Sequence, residues 1–134
     1  MPDLEAYFRG LADKTRLRIV NLLLTGELCV CDIQRLLDAS QSGVSRHLNY
    51  LKHAGLVQDR RDGVRIFYRL AAEQDATLRS LCEWLRVAFR KDEAFRADIR
   101  HLKQALKKGT CATPPVETSF ESSSRASADS TTGG

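Results

Sequence analysis

Cys29 and Cys31, in Glu27-Leu28-Cys29-Val30-Cys31-Asp32-Ile33, set two thiols two positions apart. Paired thiolates are soft donors that select soft ions over magnesium or calcium. Trivalent arsenic, which takes three sulfurs in a pyramid, is the natural candidate, with antimony beside it. On a regular helix, positions i and i+2 point about 200° apart. The two sulfurs therefore meet only where Cys29 lies in non-helical chain before a helix, or where the first turn unwinds. Both then stand at a helix N-terminus, whose partial positive charge favours thiolate. The competing reading leaves them as small buried apolar groups beside Leu28 and Val30, since cysteine is commonly buried. A redox or persulfide sensor is a second chemical use of exposed cysteines. Cys29 and Cys31 are too close for an easy unstrained disulfide, so Cys111 is the resolving partner in that case.

The four cysteines, at 29, 31, 82 and 111, do not follow the paired spacing of a zinc finger. Cys82 lies inside the apolar stripe Leu78–Phe89, where packing is its expected role. Cys111 follows the last helical pattern and could complete the thiol site from its own or a partner subunit. A small external thiol is a further way to supply a third sulfur. The sequence holds no nucleophile with a phosphate-cradling Gly-rich loop, no Ser/His/Asp set and no HExxH. A small thiol enzyme is therefore the least favoured class.

The elements that must position these thiols are mostly helical. Leu4, Tyr7, Phe8 and Leu11 recur at i, i+3, i+4 and i+7, the spacing of an amphipathic helix over 3–11. Asp13 caps a second helix with Val20, Leu23 and Leu24 on its core face, stopped at Thr25-Gly26. Val30, Ile33, Leu36 and Leu37 mark a short third helix, and Asp38-Ala39-Ser40 a tight turn. Ser40 caps a fourth helix running to about Ala54, with Gly55 just past its end. Leu56-Val57 leads into a hairpin whose turn is expected at Asp62-Gly63. From Ala72 to Lys108 the pattern is helical again, with Asp92 as a point where a separate last helix could start. Beyond Gly109 the chain is rich in Ser, Thr, Ala, Gly and Pro, with too few apolar groups to order itself. The expected organisation is one domain over 1–109 and a disordered tail over 110–134. Its fold class is mainly α with a small β-hairpin, a homodimeric winged helix-turn-helix.

Two helices joined by a tight turn and followed by a basic hairpin suit DNA. Val44, Leu48 and Leu51 face the core, while Gln41, Ser42, Ser45, Arg46 and Asn49 face the other way. Small and amide side chains near a helix start approach base edges, where Gln favours adenine and Arg favours guanine. Gly43 lets the backbone come close to the duplex, and His47 is placed to reach a phosphate. Arg60, Arg61 and Arg65 surround the hairpin tip, where guanidiniums meet phosphates or the minor groove. A solvated polar face is the bland reading of the helix alone; helix pair and basic wing together outweigh it.

Composition agrees. Apolar residues make up 43% and charged residues 28%, which fits a globular domain. The net charge is +4; residues 110–134 hold Arg125 against Glu117, Glu121 and Asp129, a balance of −2, which leaves +6 on residues 1–109. A basic body is compatible with a polyanionic partner. No apolar run reaches bilayer length and no signal-peptide layout opens the chain, so no membrane partner and a cytoplasmic location are expected. Cysteines there are thiols or ligands rather than a disulfide framework.

The run Ser40-Gln41-Ser42-Gly43-Val44-Ser45-Arg46-His47-Leu48, with Leu51 and Ala54-Gly55-Leu56-Val57, resembles the recognition helix of the ArsR–SmtB metalloregulatory repressors. Leu11-Ala12-Asp13-Lys14-Thr15-Arg16-Leu17 resembles that family's entry into its second helix, and Glu27 to Asp32 its arsenic- and cadmium-sensing box. The resemblance covers residues 4–90. It implies a homodimeric repressor on an inverted repeat of double-stranded operator DNA, controlling a metalloid-resistance operon and leaving it when an inducer binds. Cadmium or lead is the alternative inducer. The chain departs from the family in three ways. Gln34 stands where the arsenic-sensing type has a third cysteine. The cadmium and lead type draws extra thiols from an N-terminal arm, whereas no cysteine precedes Cys29 here. His101 is the one histidine after residue 54, too few for the family's zinc site. The dimer is expected to form through the first and last helices.

Overall fold

The computed structural model describes residues 3–109. The tail 110–134, with Cys111, lies outside them. In chain order the elements are α1 (Leu4–Leu11), α2 (Lys14–Leu23), β1 (Leu28–Cys29), α3 (Val30–Leu37), α4 (Gln41–His53), β2 (Val57–Asp62), β3 (Arg65–Leu70), α5 (Ala76–Arg90) and α6 (Glu93–Lys108). A three-stranded antiparallel sheet of order β1-β3-β2 lies against the helices.

Short polar side chains start the helices. Asp13 Oδ1 accepts from Arg16 N at 3.0 Å, Ser40 Oγ from Gly43 N at 3.1 Å, and Asp92 Oδ1 from Ala94 N at 2.9 Å. Each satisfies an orphan amide, worth about 1 kcal/mol. Gly55, at φ 84°, ends α4 in a conformation that costs other residues a Cβ clash. Val44, Leu48 and Leu51 of α4 are fully buried with Ile19 and Leu22 of α2 and Ile33 of α3. The recognition-helix candidate therefore stands on α2 and α3.

Three details add to or differ from the expected layout. The register pairs Asp62 with Arg65, so the turn is Gly63-Val64, one residue later than Asp62-Gly63. Gly63 takes φ 64°, and glycine at the first central position is the type II′ arrangement. β1 is a strand of two residues, too short to leave a period in sequence. It pairs Leu28 with Tyr68 and Cys29 with Phe67, and this explains why Phe67 is buried on the face it shares with Arg65 and Arg69. Last, α6 turns part of its apolar stripe inward, while Ile99 and Leu106 stay half-buried. Phe95 and Leu102 are buried within the chain, Asn21 Nδ2 donates to Phe95 O at 3.0 Å, and Arg18 forms a two-pronged pair with buried Asp98 at 2.8 and 2.9 Å. The large apolar residues left exposed include Leu4 and Phe8 on α1 and Trp84 and Val87 on α5.

Candidate functional site

Cys29 ends β1 and caps α3, with φ −72° and ψ 144°; Cys31 lies in the first turn of α3. That junction removes the 200° divergence of a continuous helix, and the two sulfurs stand 2.8 Å apart, sharing a thiol hydrogen. Cys29 is buried and Cys31 exposed. The Cys31 thiol is pushed up to about 11 by burial of its sulfur, by its hydrogen bond to Cys29 and by the negative charge of Asp32, against an opposing pull from Arg65. Against the thiolate expected at a helix N-terminus stand the burial, the bond to Cys29 and the Asp32 charge, all of which favour the neutral thiol. Asp32 is fully buried and its Oδ1 accepts from Arg35 Nη2 at 2.9 Å. Cys31 opens on a cleft of about 420 Å³ with Gln34, Arg35 and Asp38.

Among the described residues, no group of three or more His, Cys, Asp or Glu side chains is placed to hold a metal ion. Cys82 is buried in the core cluster, and burial raises its thiol pKa.

The polar face of α4 is as the sequence divides it. Gln41, Ser42, Ser45, Arg46 and Asn49 are exposed. His47 is half-buried instead, turned towards α2: its Nδ1 lies 3.3 Å from Arg16 Nη1 and 4.0 Å from Asp13 Oδ1. Arg16 is a residue the sequence reading left without a role. Its Nε donates to Gly10 O at 2.7 Å and its guanidinium lies 4.1 Å over the Tyr50 ring. It thus fastens α1 and α4 to α2. An unmatched arginine in the second helix, beside a chain reversal with bare carbonyls, was the available signal.

On the wing, Arg61 and Arg65 are exposed near the turn. Arg60 is turned back from the tip. Its Nε and Nη2 donate to the two Glu27 carboxylate oxygens, each at 2.8 Å, and its guanidinium covers the Phe67 ring at 4.6 Å. Glu27, singled out only as part of the thiol box, is the second residue without a foreseen role.

The family model described as bacterial regulatory protein, arsR family, matches residues 13–59. An arsenic resistance transcriptional regulator of Pseudomonas putida is 44% identical over 87 residues, covering 58% of this chain and 68% of that regulator. The chain belongs to the arsR family. The arsenical resistance operon repressor of Escherichia coli is 54% identical over 65 residues, 48% of this chain and 56% of the repressor. A cadmium resistance transcriptional regulatory protein of Listeria innocua is 44% identical over 68 residues, 50% of this chain and 57% of that protein. The chain thus spans little more than half the length of these two relatives. A solved homodimeric winged helix-turn-helix domain from Mycobacterium bovis, described as a possible ArsR-family regulator, superimposes with a TM-score of 0.56 at 32% identity, over 63% of this chain and 76% of that one. The fold is therefore the winged helix-turn-helix of this family of regulators. No helix among the described residues is long and apolar enough to cross a membrane.

Proposed function

We propose that the chain is a homodimeric, DNA-binding repressor of a metal or metalloid resistance operon, released from its operator when a soft ion bonds Cys29 and Cys31. The observation that carries this reading is the convergence of the two sulfurs, 2.8 Å apart, at the start of α3. Helix α3 packs on α4, so a change at its first turn alters the seating of the recognition helix. Gln41, Ser42, Ser45, Arg46 and Asn49 read base edges, and Arg61 and Arg65 hold phosphates. Two-fold symmetry sets the recognition helices about 34 Å apart in successive major grooves of an inverted repeat. Leu4, Phe8, Trp84 and Val87, exposed on α1 and α5, are the apolar surface for the dimer.

Trivalent arsenic is the favoured inducer on chemical grounds. Arsenous acid condenses with two neutral thiols, forming two As–S bonds and releasing two waters, and a third thiol displaces the last hydroxyl as water. No net proton is released, which suits a thiol held up to about 11. A divalent cation must instead expel protons, at a cost in affinity that grows as pH falls. Cadmium is the second reading, supported by the similarity to the cadmium resistance protein.

The test is release of a DNA fragment from the gene's own upstream region by arsenite, cadmium, zinc or persulfide. Cys29→Ser and Cys31→Ser should abolish arsenite release while keeping DNA binding, and Cys111→Ser reports whether that thiol completes the site. Wild-type release by arsenite in both serine variants would refute the sensor.

A further inference from the structure

The thiol site touches the wing by a route that does not pass through α3. Glu27 enters β1 two residues before Cys29. Phe67, at the centre of the sheet, is the register partner of Cys29 on one side and of Arg60 on the other. Directly paired residues share one sheet face, so Cys29, Phe67 and Arg60 form a row, with the Phe67 ring 4% exposed under the Arg60 guanidinium. The two-pronged bond from Arg60 to Glu27 returns to the strand that carries Cys29. The result is a closed circuit of Glu27, Cys29, Phe67 and Arg60.

Ligation must disturb this circuit. An ion held at ~2.3 Å by both sulfurs fixes the Cys29 and Cys31 side chains, which converge at the start of α3, relative to each other. Cys29 is 2% exposed and is the register partner of Phe67, so an ion that reaches its sulfur from the Cys31 cleft must displace close-packed neighbours of that row. Pressure on Phe67 is felt by the guanidinium stacked over its ring.

We infer that Glu27 and Arg60 are positioning residues that carry ligation at Cys29 and Cys31 to the wing, so that the thiol site sets the hairpin's hold on DNA as well as the seating of the recognition helix. This rests on the reading of Cys29 and Cys31 as the inducer site. Arg60 here acts through Glu27 and Phe67 rather than as a third arginine at the tip.

The experiment measures operator affinity with and without arsenite for the full chain, its Glu27→Gln, Arg60→Gln and double variants, and Arg61→Gln. The quantity read is the factor by which arsenite weakens binding. Each single variant should cut that factor at least five-fold, and the double should cut it no further, as two ends of one link must. Arsenite affinity of the DNA-free protein, followed by thiol protection, should stay within about two-fold. Arg61→Gln should weaken binding but keep the factor. Arg60→Lys, which keeps the charge and loses the two-pronged bond, covers the case in which Arg60→Gln fails to fold, and should also lower the factor. Single variants that keep the wild-type factor, or that reduce it additively, overturn the link and leave the sensor intact. A wild type that arsenite, cadmium and zinc all fail to release overturns the sensor, and the link with it.

Discussion

At the scale of single residues, the thiol pair makes a measurable demand. Cys31 is held up to about 11 by burial, Cys29 and Asp32, so little of it is thiolate at neutral pH. Its alkylation rate should climb about tenfold per pH unit from pH 7 and level off near 11, because the thiolate is the nucleophile. Cys29→Ser removes the thiol-to-thiol bond and should bring the midpoint down. A wild-type midpoint near 9 would rule out the bonded pair. The Cys-x-Cys pattern was legible in the sequence, and so was the condition for its sulfurs to meet, a Cys29 in non-helical chain before the helix. The partner of Arg60 was not. Glu27 lies 33 residues away, and the strand that brings it there is too short to leave a hydropathy signal.

Elements explain how the pair is held. Helix starts at Asp13, Ser40 and Asp92 were readable because a cap is a local property of three or four residues. Close approach between distant segments was not. Gly10, inside α1, lies so near β2's entry that a Cβ there would stand 2.6 Å from Leu56 Cδ1 and 3.3 Å from Ala54 Cβ. Gly10→Ala should lower stability by about 1–3 kcal/mol, read as a fall in thermal midpoint with helix content unchanged. A second inter-element tie joins α1 to the start of α5, where the Tyr7 hydroxyl donates to Asp75. Burial and that bond push Tyr7 up to about 12, and the same bond holds Asp75 below its usual range. The Tyr7 contribution is therefore complete below pH 10 and disappears as pH rises through about 12. That of Asp75 is present above the ordinary carboxylate range and is lost as pH falls through its lowered value. Tyr7→Phe should flatten the alkaline fall in denaturation midpoint between pH 10 and 12; an unchanged curve would place the alkaline sensitivity elsewhere.

For the whole molecule, the informative surface is the one the chain leaves uncovered. The sequence's apolar excess was read as dimer surface on the first and last helices. Periodicity identifies a stripe but not which neighbour it meets, and α6 turns its stripe onto α2 through Asp98 and Phe95. Trp84, 64% exposed on α5, is the residue to change. Trp84→Glu should shift sedimentation to the monomer and weaken operator binding at least ten-fold while the fold persists. A variant that stays dimeric would move the interface off α5. Strand β1 has a consequence at this scale too. At two residues, it holds so few ladder bonds that its detachment is a local opening, far below the free energy of global unfolding. Amide exchange at Leu28 and Cys29 should thus outpace that of the α2 and α4 cores, and arsenite should alter it first. On the proposed reading, the strand that carries Cys29 is the shortest of the sheet, a seam that ligation at its end would open first.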